Sequence, residues 1–348
     1  MGTNGVFSNS TLPQTSGEQE PATHVVTLVE AVNLALARAM QNDPNVVVLG
    51  EDVGTNGGVF RATSGLKERF GCRRVMDTPL AEALIAGISV GMASQGLKPV
   101  AEIQFMGFIY AAVEHIVSHA ARLRHRTRGR LHCPMVLRTP FGGGIHAPEH
   151  HCESTEAIFA HIPGIRVVVP SSPTRAYGLL LSAIEDPDPV IFLEPSRLYR
   201  MVKQEIRDDG VGLPLDTCFT LRPGKDVTLI AWGACVHETL QAARELEKRN
   251  ISAEVIDVAS LNPIDYDTLL ASVEKTGRCV IVQEAPRPCS VGSEIASVMA
   301  EKGLLFLKAP VERVNGFDTP IPYFRRENIY LPDVHEIVSA AARTLEFT

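Results

Sequence analysis

The feature that most constrains this fold is a series of short, Val- and Ile-rich runs that alternate with longer amphipathic segments. Runs this apolar fit strands that are covered on both faces, as in a parallel sheet with helices on either side. The alternation therefore predicts an α/β protein with doubly wound sheets. In the first part of the chain the predicted strands are Val46–Leu49, Val100–Phe105, Met135–Leu137, Val167–Val169 and Val190–Leu193.

The helices predicted between these strands are Leu28–Gln41, Glu82–Gln95, Phe108–Arg126 and Ser172–Glu185, the last with a serine N-cap and a proline in its first turn. A stretch rich in Gly, Pro and Asp follows and is typical of a linker. We therefore predict a flexible tail over 1–23, a first domain over 24–200, a linker over 201–224 and a second domain over 225–348.

The second domain is predicted to be a smaller βαβαβαβ unit with a mostly parallel sheet. It has no glycine-rich phosphate loop and no cluster of ionisable residues at a strand end. A docking or assembly role is therefore expected for it. Its predicted strands are Val227–Trp232, Ala253–Asp257, Cys279–Gln283 and Pro310–Val314, and its predicted helices are His237–Lys248, Asp265–Lys275 and Ser290–Glu301.

Composition and charge argue against several classes of function. The chain has 348 residues, 45% of them hydrophobic, and a net charge of -7, which disfavours a general nucleic-acid surface. No apolar run approaches the roughly 20 residues that span a bilayer. Seven cysteines without a C-x-x-C pair suit a reducing cytoplasm. The first 23 residues match neither a signal peptide nor a mitochondrial presequence.

Glu82 is the first candidate for chemistry, because it opens an otherwise uncharged run that extends to Gln95. A carboxyl group at the start of a buried helix tends toward a raised pKa and can act as a neutral acid. Equally, an acidic residue after Thr78 and Pro79 fits an ordinary first helical turn, where the helix dipole favours an anion. Both interpretations stay open at this point.

The second candidate is the loop over 140–155, which contains consecutive glycines and three histidines after a predicted strand. Ligands of doubly wound sheets bind at the carboxyl ends of strands, and histidine titrates near neutral pH. His146, Glu149 and His150 also match the H-x-x-E-H pattern of some zinc hydrolases. That pattern needs a helix, which Pro148 would interrupt, so metal binding is the weaker hypothesis.

The basic run Arg122–Arg130 suggests contact with phosphate or an acidic partner. Arginines near a helix end more often form ion pairs and favourable dipole interactions. We favour a structural or inter-subunit role, given the acidic balance of the chain.

Several motifs, in order along the chain, together resemble one family. From about residue 24 to the end, the sequence is similar to the beta subunit of the thiamine-diphosphate-dependent component of 2-oxo acid dehydrogenase complexes, in the transketolase-like superfamily. The motifs are Gly50–Val53, Gly57–Phe60, Asp77–Glu82, Ala101–Phe105, Arg138–Gly144, His151–Ser154, Phe192–Pro195, Lys275–Arg278 and Gly316–Pro320.

The resemblance implies a pyrimidine-binding transketolase-like domain followed by a transketolase C-terminal-type domain. It also implies an α2β2 heterotetramer with an alpha subunit, and a lipoyl-bearing transacylase component as partner. The Gly-Asp-Gly sequence that holds Mg²⁺ and the diphosphate in the wider family is absent here. Mg²⁺ is therefore expected mainly on the alpha subunit, and the chain alone is not expected to be an enzyme.

By the same resemblance, Glu82 hydrogen-bonds the aminopyrimidine ring of thiamine diphosphate, and His151 donates a proton during acyl transfer. His146 is a further candidate for substrate or lipoyl contact. Leu80, Gln104 and Phe108 fall where relatives contact the cofactor, although Phe108 replaces a tyrosine common there and so lacks its hydroxyl. A structural K⁺ is implied near Met135, Ala183, Asp186 and Asp188, largely through main-chain carbonyls.

The expected reaction is oxidative decarboxylation of a 2-oxo acid with acyl transfer to a lipoyl group. Pyruvate is the first candidate substrate and branched-chain 2-oxo acids the second, while the related acetoin dehydrogenase beta subunit is an alternative. A non-catalytic scaffold with a decayed site and the metal-dependent hydrolase described above are the rivals from other classes.

Overall fold

The computed structural model describes residues 21–347, so most of the predicted tail lies outside the described residues. The strands are β1 Thr23–Thr27, β2 Val46–Gly50, β3 Val75–Asp77, β4 Lys98–Glu102, β5 Val136–Phe141, β6 Arg166–Val168, β7 Val190–Pro195, β8 Lys203–Arg207, β9 Phe219–Arg222, β10 Val227–Ala231, β11 Ala253–Asp257, β12 Ser260–Asn262, β13 Cys279–Pro286 and β14 Glu312–Gly316. The α-helices are α1 Leu28–Asn42, α2 Leu66–Phe70, α3 Glu82–Ser94, α4 Leu123–Arg126, α5 Glu156–Ala160, α6 Pro173–Glu185, α7 Cys235–Glu247, α8 Tyr266–Thr276, α9 Val291–Lys302, α10 Phe324–Tyr330 and α11 Val334–Glu346.

Two sheets dominate, and both confirm the predicted α/β class. The larger has the order β12-β6-β7-β5-β4-β2-β3, and its strands β2 to β7 are all parallel. The smaller has the order β14-β13-β10-β11-β9 and is parallel except for β9. Parallel strands place their carboxyl ends at one edge, which is where the candidate residues lie.

The stretch 201–224, predicted as a linker, contains two strands. β8 pairs antiparallel with β1, while β9 forms the edge of the smaller sheet. From the second half of the chain, β12 pairs antiparallel with β6 and so extends the larger sheet. The first and second halves of the chain are therefore joined by backbone hydrogen bonds as well as by side-chain packing. The exact division into domains stays a prediction.

The helix start predicted for α6 is confirmed, and the structure shows a capped start for α1 as well. Thr27 and Glu30 form a reciprocal capping box at the start of α1. At α6 the hydroxyl of Ser172 accepts a hydrogen bond from the Arg175 amide, 3.3 Å away. The two helices pack together on one face of the larger sheet, and α3 packs on the opposite face.

The prediction of one α-helix over Phe108–Arg126 is wrong. A 3₁₀ segment (Met106–Ala112), a π turn (His115–His119) and a second 3₁₀ turn precede the short α4. Tertiary contacts explain the irregularity. The His150 carbonyl lies where a side chain at Gly107 would project, and the His115 ring lies against Gly87 of α3.

Helix α3 was predicted to be buried, but this chain covers only one of its faces. Ile85, Ala86, Ser89 and Ala93 are buried, whereas Leu84 is 43% exposed. Part of this apolar helix is therefore open to solvent. Within residues 21–347, no helix is long and apolar enough to cross a bilayer.

Candidate functional site

Glu82 is the first residue of α3 and follows the turn that leaves β3. It is half-buried, so this chain alone gives only part of the desolvation that the sequence suggested. The residue before it, Ala81, has no side chain that can cap the helix. Glu82 thus lies in the first helical turn, as one of the two interpretations expected. Its carboxyl group stays accessible from the exposed side of α3.

Glu51 is a neighbouring acid that was not selected from the sequence. It follows β2, is 7% exposed and has a raised pKa, because burial and then the charges of Glu82 and Asp52 disfavour its ionised form. Within the described residues, its Oε1 and the buried Oγ1 of Thr78 have no hydrogen-bond partner. Unpartnered buried oxygens beside Glu82 fit a site that a ligand completes.

Gln104 and Phe108, which follow β4, lie at the same edge as His151. The Gln104 amide donates to the Glu51 carbonyl at 3.5 Å. The Phe105 ring centroid is 4.5 Å from that of His151, and the Phe108 centroid is 5.1 Å from it. The structure thus links the Glu82 region to the histidine loop through residues that follow β4.

His151 has a defined orientation within the loop. Its Nδ1 lies 3.0 Å from the Glu149 carbonyl, which can only accept a hydrogen bond, so Nδ1 carries the proton. Nε2 is left as the atom that can exchange a proton with a ligand. This is the arrangement that a proton-transferring histidine requires.

Leu80 is 80% exposed and stands beside Glu82. Gln104 and Phe108 are half-buried. An aminopyrimidine ring needs a carboxyl group at one edge and apolar side chains against its faces, so these residues fit half of a thiamine diphosphate site. Among residues 21–347, no three His, Cys, Asp or Glu side chains are grouped to hold a metal ion.

The zinc-hydrolase geometry does not form. The loop over 142–155 is not helical, and His146 and His150 both have positive φ angles, 56° and 70°. His146 contacts Glu327, whereas His150 packs near Phe108 and Tyr110. The two rings therefore do not share a helical face, as Pro148 led us to expect.

The second half of the chain contributes two carboxylates to this loop, one from a strand and one from a helix. Glu284, at the end of β13, accepts from the Gly143 amide at 2.5 Å and from the Ser154 hydroxyl at 2.8 Å. Glu327, on α10, accepts from the Gly144 amide at 2.5 Å. The sequence could not indicate these contacts, because their partners lie over 100 positions away.

Glu156 is a further buried acid beneath the loop. Burial raises its pKa to about 7, although a hydrogen bond from Trp232 lowers it. Its second oxygen, Oε2, has no partner among the described residues. Near neutral pH this group is therefore partly protonated.

The residues of the expected K⁺ site lie near one another, but their carboxylates are engaged elsewhere. Asp186 pairs with Arg166 at 2.7 Å, and Asp188 pairs with Arg124 at 2.8 Å. The Met135 carbonyl accepts from the Val190 amide at 3.0 Å. Any cation here would rely on main-chain oxygens, so the K⁺ site stays a prediction.

The basic run Arg122–Arg130 makes local contacts. Besides the Arg124–Asp188 pair, Arg126 donates to the Ser118 carbonyl at 2.7 Å, and the Arg130 Nε donates to the Thr127 carbonyl at 3.1 Å. These contacts agree with the structural role that we favoured for the run.

Comparisons with known proteins match nearly the whole chain. The transketolase pyrimidine-binding domain family matches residues 24–202, and the transketolase C-terminal domain family matches residues 217–337. The pyruvate dehydrogenase E1 component subunit beta of Staphylococcus epidermidis is 48% identical, and that of Bacillus subtilis is 47% identical. Each alignment covers 92% of this chain and 99% of the relative.

A solved structure described as a split gene transketolase, inactive beta4 tetramer, has a TM-score of 0.76 to this chain at 24% identity. The match covers 92% of this chain and 99% of that one, and it supports the fold.

Proposed function

The chain belongs to the family of beta subunits of the thiamine-diphosphate-dependent (E1) component of 2-oxo acid dehydrogenase complexes, and from this premise we propose that it binds the pyrimidine half of thiamine diphosphate and serves pyruvate decarboxylation with acyl transfer to a lipoyl group. The observation that carries the proposal is the convergence of Glu82, Glu51, Gln104 and His151 at one sheet edge. A scaffold with a decayed site would have no need of this arrangement.

The residues of this chain would have separate roles in the reaction. Glu82 would bind a ring nitrogen of the cofactor and exchange a proton with it, supported by the neighbouring acid Glu51. Leu80 and Phe108 would pack against the ring and exclude water. The chemistry that bound thiamine diphosphate would supply is stabilisation of the negative charge left when carbon dioxide departs. His151, with a proton on each ring nitrogen, would donate the Nε2 proton to the lipoyl sulfur released when the S–S bond breaks, and Nδ1–H would stay on the Glu149 carbonyl.

Pyruvate is proposed as the substrate because the similar beta subunits are named for it. Branched-chain 2-oxo acids and acetoin remain the alternatives. The acyl pocket is proposed to be completed by the alpha subunit, so a panel of these compounds with the assembled protein is the direct test. Carbon dioxide release highest with pyruvate would support the proposal, and a preference for a branched-chain acid or acetoin would replace it.

An alpha subunit is the proposed partner, in an α2β2 assembly that would hold Mg²⁺ and act on a lipoyl-bearing transacylase in the cytoplasm. The observation that supports a partner is the apolar surface that this chain leaves exposed. Leu80 and Leu84 are exposed at the candidate site. Four more large side chains are exposed in the second half of the chain, namely Phe317, Tyr323, Phe324 and Ile329.

Cofactor binding is expected to require both subunits. Isothermal titration with thiamine diphosphate and Mg²⁺ should give no measurable heat of binding with this chain alone, because the diphosphate site lies elsewhere. The co-expressed assembly should bind the cofactor with one site per beta subunit. Equal affinity for the isolated chain would contradict a shared site, and binding by neither preparation would favour the scaffold.

Replacement of His151 should separate the two half-reactions. For His151→Ala we expect lipoyl acylation to fall about 100-fold and decarboxylation, measured with an artificial oxidant, to change by less than about threefold, since proton donation to sulfur serves only the transfer step. His161→Ala, in a different part of the first domain, is the matched control. Equal losses in both assays would argue against the proton-donor role.

A further inference from the structure

Glu327 makes a three-point contact with the histidine loop. Its carboxyl group is 2% exposed and belongs to α10, near the end of the chain. It accepts hydrogen bonds from the Gly144 amide at 2.5 Å and the His146 amide at 3.0 Å, and it lies 2.7 Å from the His146 Nδ1. The carboxyl oxygen that accepts from the His146 amide thus also faces Nδ1 of the imidazole.

The loop depends on this contact because it has no regular structure of its own. Gly144 and His146 both adopt left-handed backbone conformations, with φ of 89° and 56°. At Gly144 a side chain would collide with Arg197, whose stem lies where the Cβ would be. The backbone is thus confined on one side by Arg197 and held on the other by Glu327.

The contact also orients the imidazole. With Nδ1 engaged, Nε2 points away from Glu327, and the His146 side chain is 52% exposed. A carboxylate against one ring nitrogen fixes the orientation of the ring while the other nitrogen faces a reactant. The Phe324 ring, 6.1 Å from the His146 ring, meets it edge-on.

From this geometry we propose that Glu327 is a positioning residue for His146, and that the pair forms a second proton-exchanging group facing the lipoyl substrate. The proposal rests on the function proposed above. It gives the second half of the chain a direct part in acyl transfer in addition to docking. His151 and His146 would then be held by different supports, a loop carbonyl for the first and a buried carboxylate for the second.

The test is a double-mutant cycle in the assembled protein with His146→Ala, Glu327→Gln and the double variant. Each single variant should lower kcat for acylation of a lipoyl-bearing domain by about 10- to 100-fold. Decarboxylation with an artificial oxidant should change by less than about twofold. The double variant should lie within about threefold of the worse single variant, because Glu327 acts through His146. Glu327→Asp, which keeps the charge, should recover part of the loss.

Losses that multiply in the double variant, or that are equal in both half-reactions, would overturn the proposal. Glu312→Gln is the control, since Glu312 pairs with Arg343 away from the loop.

Hydrogen exchange tests the contact without relying on activity. Glu327→Ala should speed amide exchange of the peptide over 142–150 by about tenfold or more, while Glu312→Gln should leave it unchanged. Unchanged exchange in Glu327→Ala would refute the positioning role. Absence of 2-oxo acid decarboxylation in the wild-type assembly would instead refute the proposed function, and the exchange result would still decide whether Glu327 holds the loop.

Discussion

The Glu82→Gln variant, assembled with its alpha subunit, is expected to lose decarboxylation of the 2-oxo acid by about 100- to 1,000-fold, the usual cost of removing one group that acts on the reacting centre. Glutamine keeps the size of the side chain but cannot exchange a proton. Glu82 is only half-buried and has no ion-pair partner among the described residues, so the variant should fold and assemble normally. Carbon dioxide release is the measurement.

Glu68→Gln is the matched control for this prediction. Glu68 also lies in a first helical turn, that of α2, but it is exposed and stands away from the site edge. The control should retain full activity. If Glu82→Gln decarboxylates within about threefold of wild type while its assembly is intact, Glu82 does not have the role proposed here.

Much of the fold follows from local patterns. The Ser172–Pro173 start of α6 and the apolar strands β2, β5 and β7 need only short-range chemistry to be recognised. The segment 106–122 could not be predicted in the same way, because Gly107 and His115 contact residues that are distant in sequence. The pairing of β12 with β6 is likewise a long-range event that no local signal specifies.

The same distinction between local and long-range signals applies to the candidate site. Glu82 was recognisable because it is an isolated charge at a helix start, and the choice of His151 among three histidines came from family resemblance. Glu51, Glu284 and Glu327 were missed, because an acidic residue at a strand end or in a short helix is usually solvated. Only the tertiary structure shows that each is buried against the site.

Removal of the buried arginine beneath the site should have the largest effect on stability. Arg138 is 2% exposed; its Nε lies 2.7 Å from Glu194, and its guanidinium also lies 2.7 Å from Glu102. Burial acts to lower the pKa of Arg138, but the two carboxylates raise it above its ordinary value. Arg138→Met leaves both carboxylates buried without a cation, which costs about 3–5 kcal/mol of unfolding free energy.

The loss should grow with pH. Burial already raises the pKa of Glu102, although Arg138 opposes this shift. Without Arg138 the folded-state pKa of Glu102 rises further above its unfolded value, so stability falls as pH rises from the ordinary carboxyl range up to that raised pKa. Urea unfolding of the purified chain at pH 5.5 and 8, followed by fluorescence of Trp232, the sole tryptophan, measures both effects.

Arg343→Met is the comparison, because Arg343 pairs with Glu312 at 2.8 Å but is 55% exposed. An exposed pair contributes less than about 1 kcal/mol, so this variant should unfold close to wild type at both pH values. If Arg138→Met were as stable as Arg343→Met, the two carboxylates would not depend on Arg138 for their charge balance. Backbone hydrogen bonds and apolar packing would then be enough to hold the parallel strands around Arg138.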